Sequence, residues 1–123
     1  MQEKIRCFIT MFTIELEDLH KDVELIIQKY KDEHDHEVIS NYVFLENLAL
    51  MKNELFGIDS FLQEVKDITP TDFEDVHQII DYLKKQCLNR CREKGIASAA
   101  YVLSERKMVK VLSYIEGSHC IPM

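Results

Sequence analysis

Turn-forming residues are scarce in this 123-residue chain, which has three glycines and two prolines, nearly all at plausible element ends. A sheet-rich fold needs frequent turn residues, so the scarcity leaves a few long helices. Long apolar runs are also lacking. No segment approaches the ~20 apolar residues that cross a bilayer as a helix, so no membrane partner is expected. The stretch CFITMFTI follows Lys4 and Arg6 but is short, holds two threonines and runs straight into Glu15, Glu17 and Asp18. With no small-residue cleavage site, it does not read as a signal peptide. No internal repeat, low-complexity tract or linker divides the chain, which reads as one domain over residues 1–123. A Gly-rich phosphate loop, a nucleophile elbow and a Cys/His nucleophilic arrangement are all missing, so no enzyme is expected.

What is present is a soluble balance of 46% apolar and 30% charged residues. The net charge of −7 argues against nucleic acid as a partner. It is unevenly spread. Residues 1–83 carry 7 Lys/Arg against 19 Asp/Glu (−12), and residues 84–123 carry 8 against 3 (+5). Antiparallel helices bring such opposite charges together inside one bundle. The four cysteines, Cys7, Cys87, Cys91 and Cys120, do not sit in a dense, loop-rich scaffold, so a reducing, cytoplasmic location is expected.

Helix one has the clearest pattern. Ile5, Phe8, Phe12, Leu16, Leu19, Val23, Ile26 and Tyr30 advance in steps of three and four, as one buried helical face does. Helix two is expected from about Glu37 to Asp67, with Tyr42, Leu45 and Ala49 facing the core and Gly57 a possible bend. Helix three should open on a capping box, Thr71 to Glu74, after Pro70. Its face is Phe73, Val76, Ile80, Leu83, Cys87 and Cys91, and Arg90, Arg92, Lys94 and Gly95 mark its end. Ser98 is placed to cap helix four, which buries Tyr101, Met108, Leu112 and Ile115 and ends at Gly117. The fold class is therefore all-α: an antiparallel up-down four-helix bundle with two long N-terminal helices, broken near Lys31–Glu37, Asp67–Thr71 and Lys94–Ser98.

Several stretches raise chemical readings. KDEHDHE, Lys31 to Glu37, has metal-binding residue types but lies at a helix–helix corner, where consecutive side chains splay apart. Two E-x-x-H motifs, Glu17/His20 and Glu74/His77, suggest the alternative function of a di-iron-like metal-binding bundle. Their faces disagree with it: Glu17 lies roughly 135° from the centre of the apolar stripe, and Glu74 is similarly displaced. Ferritin-like bundles also carry such motifs on the second and fourth helices, not the first and third. Histidine phosphotransfer domains are four-helix bundles of about this size, with a Leu-Lys-Gly following the histidine. Neither His20 nor His77 is followed by that sequence, so the likeness is one of fold only. Glu105 shares a stripe with Tyr101, Met108 and Leu112, and a lysine or arginine is its expected partner. Cys87 and Cys91 read as core packing. The tail CIPM has a prenylation-like form, but a proline stands where an aliphatic residue is usual. No metal, catalytic residue or cofactor is expected.

Surplus apolar surface remains. Cys7, Met11 and Ile14 form a second stripe on helix one, and Val43 and Leu50 point away from the expected core face of helix two. A four-helix monomer buries about one face per helix, so these five residues form the expected self-association surface. The functional expectation is a protein-interaction module whose partner is itself, as a homodimer, or another protein.

Overall fold

The computed structural model describes residues 2–37 and 39–117. Four helices, α1 (Gln2–Asp35), α2 (Asn41–Lys66), α3 (Val76–Lys94) and α4 (Ser98–Glu116), form a bundle, with a short 3₁₀ turn at Pro70–Asp72. There is no strand among the described residues. α1 lies against α2 and α4, and α3 closes the bundle against the same two helices. The expected all-α bundle with two long N-terminal helices is what forms.

α1 buries Ile5, Phe8, Phe12, Leu16, Leu19, Val23 and Ile27. Ile27 replaces the expected Ile26, which is 46% exposed. The reason lies in the neighbours. His20 faces Asp59 at 3.0 Å and the His34 ring stacks on Phe44 at 4.1 Å, so Ile26 stands level with about Asn53. There α3 and α4 turn back at Gly95, leaving the Ile26 flank without a cover, whereas Ile27 still faces α2.

The helix ends correct several expectations. α1 continues through Asp35, and His36 Nδ1 lies 2.7 Å from the Asp32 carbonyl oxygen in the closing turn. α2 starts at Asn41, not near Glu37, because Glu37 takes a positive φ of 59° and Ser40 accepts the Val43 N–H. Thr71–Glu74 does not cap α3. Pro70 starts a separate turn, Phe73 is extended, and Asp75 accepts the Gln78 N–H at 2.9 Å. Gln78 Oε1 in turn accepts from the Glu74 N–H, so a capping arrangement exists four residues later than expected. Gly95 closes α3 in the left-handed region, as its position suggested.

Nor does Ser98 cap α4. Ala97 is the N-cap and offers no side-chain acceptor. Asn53 of α2 supplies the missing polar groups: Oδ1 accepts the Ala97 N–H at 2.6 Å, and Nδ2 donates to the Gly95 carbonyl at 3.0 Å. Gly57, one turn along, lies against Ile96 and Ala100. α2 runs without interruption through this position, so the glycine does not end the helix. This glycine permits a close approach.

α4 buries Met108 and Ile115 as expected, together with Ala100, Ser104 and Val111, while Tyr101 and Leu112 are half-buried. On α3 the buried set gains Ile79, and Phe73 and Cys91 are only half-buried. Opposite charges do meet across the bundle. Lys110 donates to Glu15 at 2.8 Å with Lys107 at 3.5 Å, and Arg90 Nε donates to Glu64. These pairs join the acidic first part of the chain to its basic last part.

Candidate functional site

Unequal helix lengths create the most distinctive surface. α1 has 34 residues and would extend ~51 Å, whereas α3 and α4 have 19 each, or ~28 Å. The α1–α2 hairpin therefore projects past the α3–α4 turn as a two-helix tip. Within the tip only Met51 and Ile27 are buried, with Tyr30, Phe44 and Leu48 half-buried in the seam between the helices.

The rest of α2 in this region is apolar and uncovered. Tyr42 is 75% exposed, Leu45 55%, Leu50 53% and Val43 40%, and Ala49 is exposed as well. Tyr42, Leu45 and Ala49 are thus not the core face expected for them. Two lines at a spacing of seven explain the arrangement. Along Val43, Leu50, Gly57 and Glu64, the lower members meet α3 and α4: Gly57 packs on Ile96 and Ala100, and Glu64 binds Arg90. Along Tyr42, Ala49 and Phe56, the lowest ring has Lys94 Nζ 5.9 Å from its centroid. Val43 and Leu50, the upper members of the first line, stand where no helix remains to meet them, and Tyr42 and Ala49 continue the exposed side that Phe56 begins. A spacing of seven drifts only ~20° around a straight helix, so each line stays on one side.

The expected self-association residues do not form one surface. Cys7 and Met11 are half-buried and pack against the core, with Cys7 Sγ 3.7 Å from Met11 Sδ, while Ile14 is exposed. Val43 and Leu50 lie at the other end of the hairpin. Cys7 is disulfide-bonded, whereas Cys87 and Cys91 are free thiols.

The histidines of the two E-x-x-H motifs each face a carboxylate. His20 lies with Nδ1 2.6 Å from Glu24 and Nε2 3.0 Å from Asp59, so both ring nitrogens face carboxylates and neither is left for a metal. His77 lies at the opposite end, 3.6 Å from Glu116, beside Lys4 in a cleft of about 150 Å³. Because His20 is sixteen residues beyond Lys4 on α1, the two E-x-x-H motifs are ~24 Å apart along the bundle. They do not converge. In KDEHDHE, His34 binds Asn41 and stacks on Phe44, His36 turns to the Asp32 carbonyl, and Asp32, Asp35 and Glu37 are exposed. No group of three or more His, Cys, Asp or Glu suited to a metal ion occurs among the described residues.

Burial pushes the Cys87 thiol up to about 12, with the Glu64 carboxylate adding to the shift. It raises Cys91 as well, so neither is a ready thiolate. Glu105 is half-buried, and its partner is the Tyr101 hydroxyl rather than a cation. Burial first, and then the hydrogen bond to Glu105, raise the Tyr101 phenol above its ordinary range. The Lys110 hydrogen bond holds Glu15 below the usual carboxylate value, against the opposing effect of burial. CIPM lies outside the described residues, and no helix of the described residues is long and apolar enough to cross a membrane. No protein-family model, curated protein or solved structure matches this chain.

Proposed function

We propose that this chain is a non-enzymatic protein-interaction module that docks through the projecting tip of the α1–α2 hairpin. One observation carries the reading: α2 between Asn41 and Leu50 is apolar on nearly every side, yet a single neighbouring helix covers it. A helix of that composition is built to be enclosed, and an exposed apolar surface of this kind marks an interaction site. Asn41–Met51 carries one charge, Glu46, whereas a solvated helix face carries many. The buried Cys87 thiol, the half-buried Cys91 thiol and the Tyr101 phenol stay protonated, and the clefts beside His77 and His20, about 150 and 210 Å³, are below the ~300 Å³ of typical small-molecule sites, which favours binding over catalysis.

A photo-crosslinking residue at position 45, introduced in the cell, tests the reading. Discrete protein adducts are expected, and adding Leu50→Glu should abolish them. Adducts from the same probe at Val109 but none from position 45 would move docking away from the tip and overturn the proposal.

A cytoplasmic location accompanies this reading, because the four cysteines do not form a dense, loop-rich disulfide scaffold. It requires the Cys7 disulfide to stand open in the cell, since the cytosol keeps thiols reduced. Alkylation of acid-quenched, denatured cells should then label all four cysteines. Labelling of only two would place the protein in an oxidising compartment.

A further inference from the structure

The geometry points to a second copy of this chain as the occupant of the tip, packed antiparallel about a two-fold axis so that each tip ends against the other copy's α3–α4 turn. This inference rests on the docking reading above and names its partner. The uncovered region continues the line of α2 that meets Ile96, Ala100 and Arg90 lower down, so it is shaped for another helix. The tip of a second copy offers one.

The register supports the same arrangement. Let Val43 of one α2 lie opposite Leu50 of the other, and Leu50 then lies opposite Val43, as two-fold symmetry requires. The axis then passes between Glu46 and Asn47, so the two Glu46 carboxylates, the lone charges of Asn41–Met51, come within one residue's rise of each other, the one like-charge contact of this register, with the Asn47 amides beside them as donors. The same register places Ser40, at the start of α2, level with Asn53 of the second copy. Asn53 is the residue that holds Gly95 and Ala97. Matching the apolar side chains thus brings the tip and the turn end to end without further adjustment.

Charge agrees with that placement. The end of the tip carries Asp32, Glu33, Asp35 and Glu37 against Lys31, with Lys29 already 4.0 Å from Glu33. At the turn, exposed Arg92 and Lys94 outweigh Glu93. An acidic end meets a basic one, twice per dimer. Val43 and Leu50, the pair matched by the register, are 40% and 53% exposed, and Ile26, Tyr42, Leu45 and Phe56 leave further apolar surface around the same tip. The polar residues of the tip and turn complete the contact. KDEHDHE in this arrangement is the acidic end that selects the turn.

Charge exchange on the intact chain, followed by sedimentation equilibrium at micromolar concentration, tests the proposal. Wild type should be a dimer. Asp35→Lys with Glu37→Lys reverses the tip, and Arg92→Glu with Lys94→Glu reverses the turn. Either change should weaken self-association at least roughly tenfold while circular dichroism stays helical. An equimolar mixture of the two variants should recover a heterodimer, since each reversed tip then meets a reversed turn of opposite sign. Leu50→Glu should give a monomer that still folds. A wild type that stays monomeric, a dimer insensitive to all three changes, or a mixture that fails to recover would each overturn the proposal. If wild type is monomeric but the probe at position 45 still captures another protein, the docking reading survives and only the second copy falls.

Discussion

Gly57 and Ile96 are packed so closely that a Cβ built on the glycine would stand 2.6 Å from Ile96 Cγ2. It would also stand 2.9 Å from the Ala100 Cβ, which belongs to a helix backbone and cannot rotate away. In an open helix, alanine in place of glycine gains ~1 kcal/mol. Here the overlap outweighs that gain. Gly57→Ala should lower unfolding stability by ~1–3 kcal/mol, as overpacked cores do, read from the midpoint of a urea titration. A stabilised variant would mean that the α3–α4 turn shifts without cost.

Asn53 should be sensitive for a different reason. Asn53→Ala leaves the Ala97 N–H and the Gly95 carbonyl without this partner, at a cost of ~1–2 kcal/mol. Asn53→Asp keeps the acceptor for Ala97 but sets a second carboxylate oxygen against the Gly95 carbonyl, so a smaller loss than in Asn53→Ala would show that the Ala97 contact dominates. Equal losses in the two variants would show that the Ala97 contact contributes little.

Ser104 presents the opposite case, a polar atom the core does not use. It is 2% exposed, and its Oγ has no hydrogen-bond partner. Ser104→Ala removes a desolvated hydroxyl and improves helix propensity, and should raise stability by ~1 kcal/mol, a few degrees in Tm. Calorimetry giving a lower Tm would reveal a partner for the hydroxyl.

Cys87 predicts a response to alkali. Its folded value near 12 lies above that of an unfolded thiol, so at high pH the unfolded chain loses this proton before the folded one does. Over that range the native state binds more protons, and stability falls as pH rises from about 9 towards 12. Denaturation midpoints taken across this interval should decline, and Cys87→Ala should flatten part of the decline. It should also cost stability at neutral pH, because a packed side chain is lost.

The legible and illegible parts of this sequence divide along a physical boundary. Ile5 through Val23 could be read from spacing alone, because other helices enclose that face of α1 over this length. Gly95 could be read because its left-handed conformation is a local demand. Ile26 against Ile27, and the face of α2 bearing Tyr42 and Leu45, could not. Which apolar side is covered there depends on where α3 and α4 stop, a fact about other segments of the chain. The cap of α4 was hidden for the same reason, since its polar groups come from Asn53, 44 residues earlier. Val43 and Leu50 were recognisable as surplus, but the lines joining them to Gly57 and Glu64 acquire meaning only once Ile96 and Arg90 are seen against the lower members.

The projecting tip also divides the molecule by local stability. Amide protons in the body exchange only when several helices separate, whereas α1 beyond Ile27 and α2 before Met51 are held chiefly by each other and can open while the body stays closed. Exchange should therefore be faster in the tip of the isolated chain. Whatever covers the tip ties its opening to that of a larger assembly and slows exchange along both helices, including amides that touch nothing new. Occupancy of this surface can then be followed through the backbone itself.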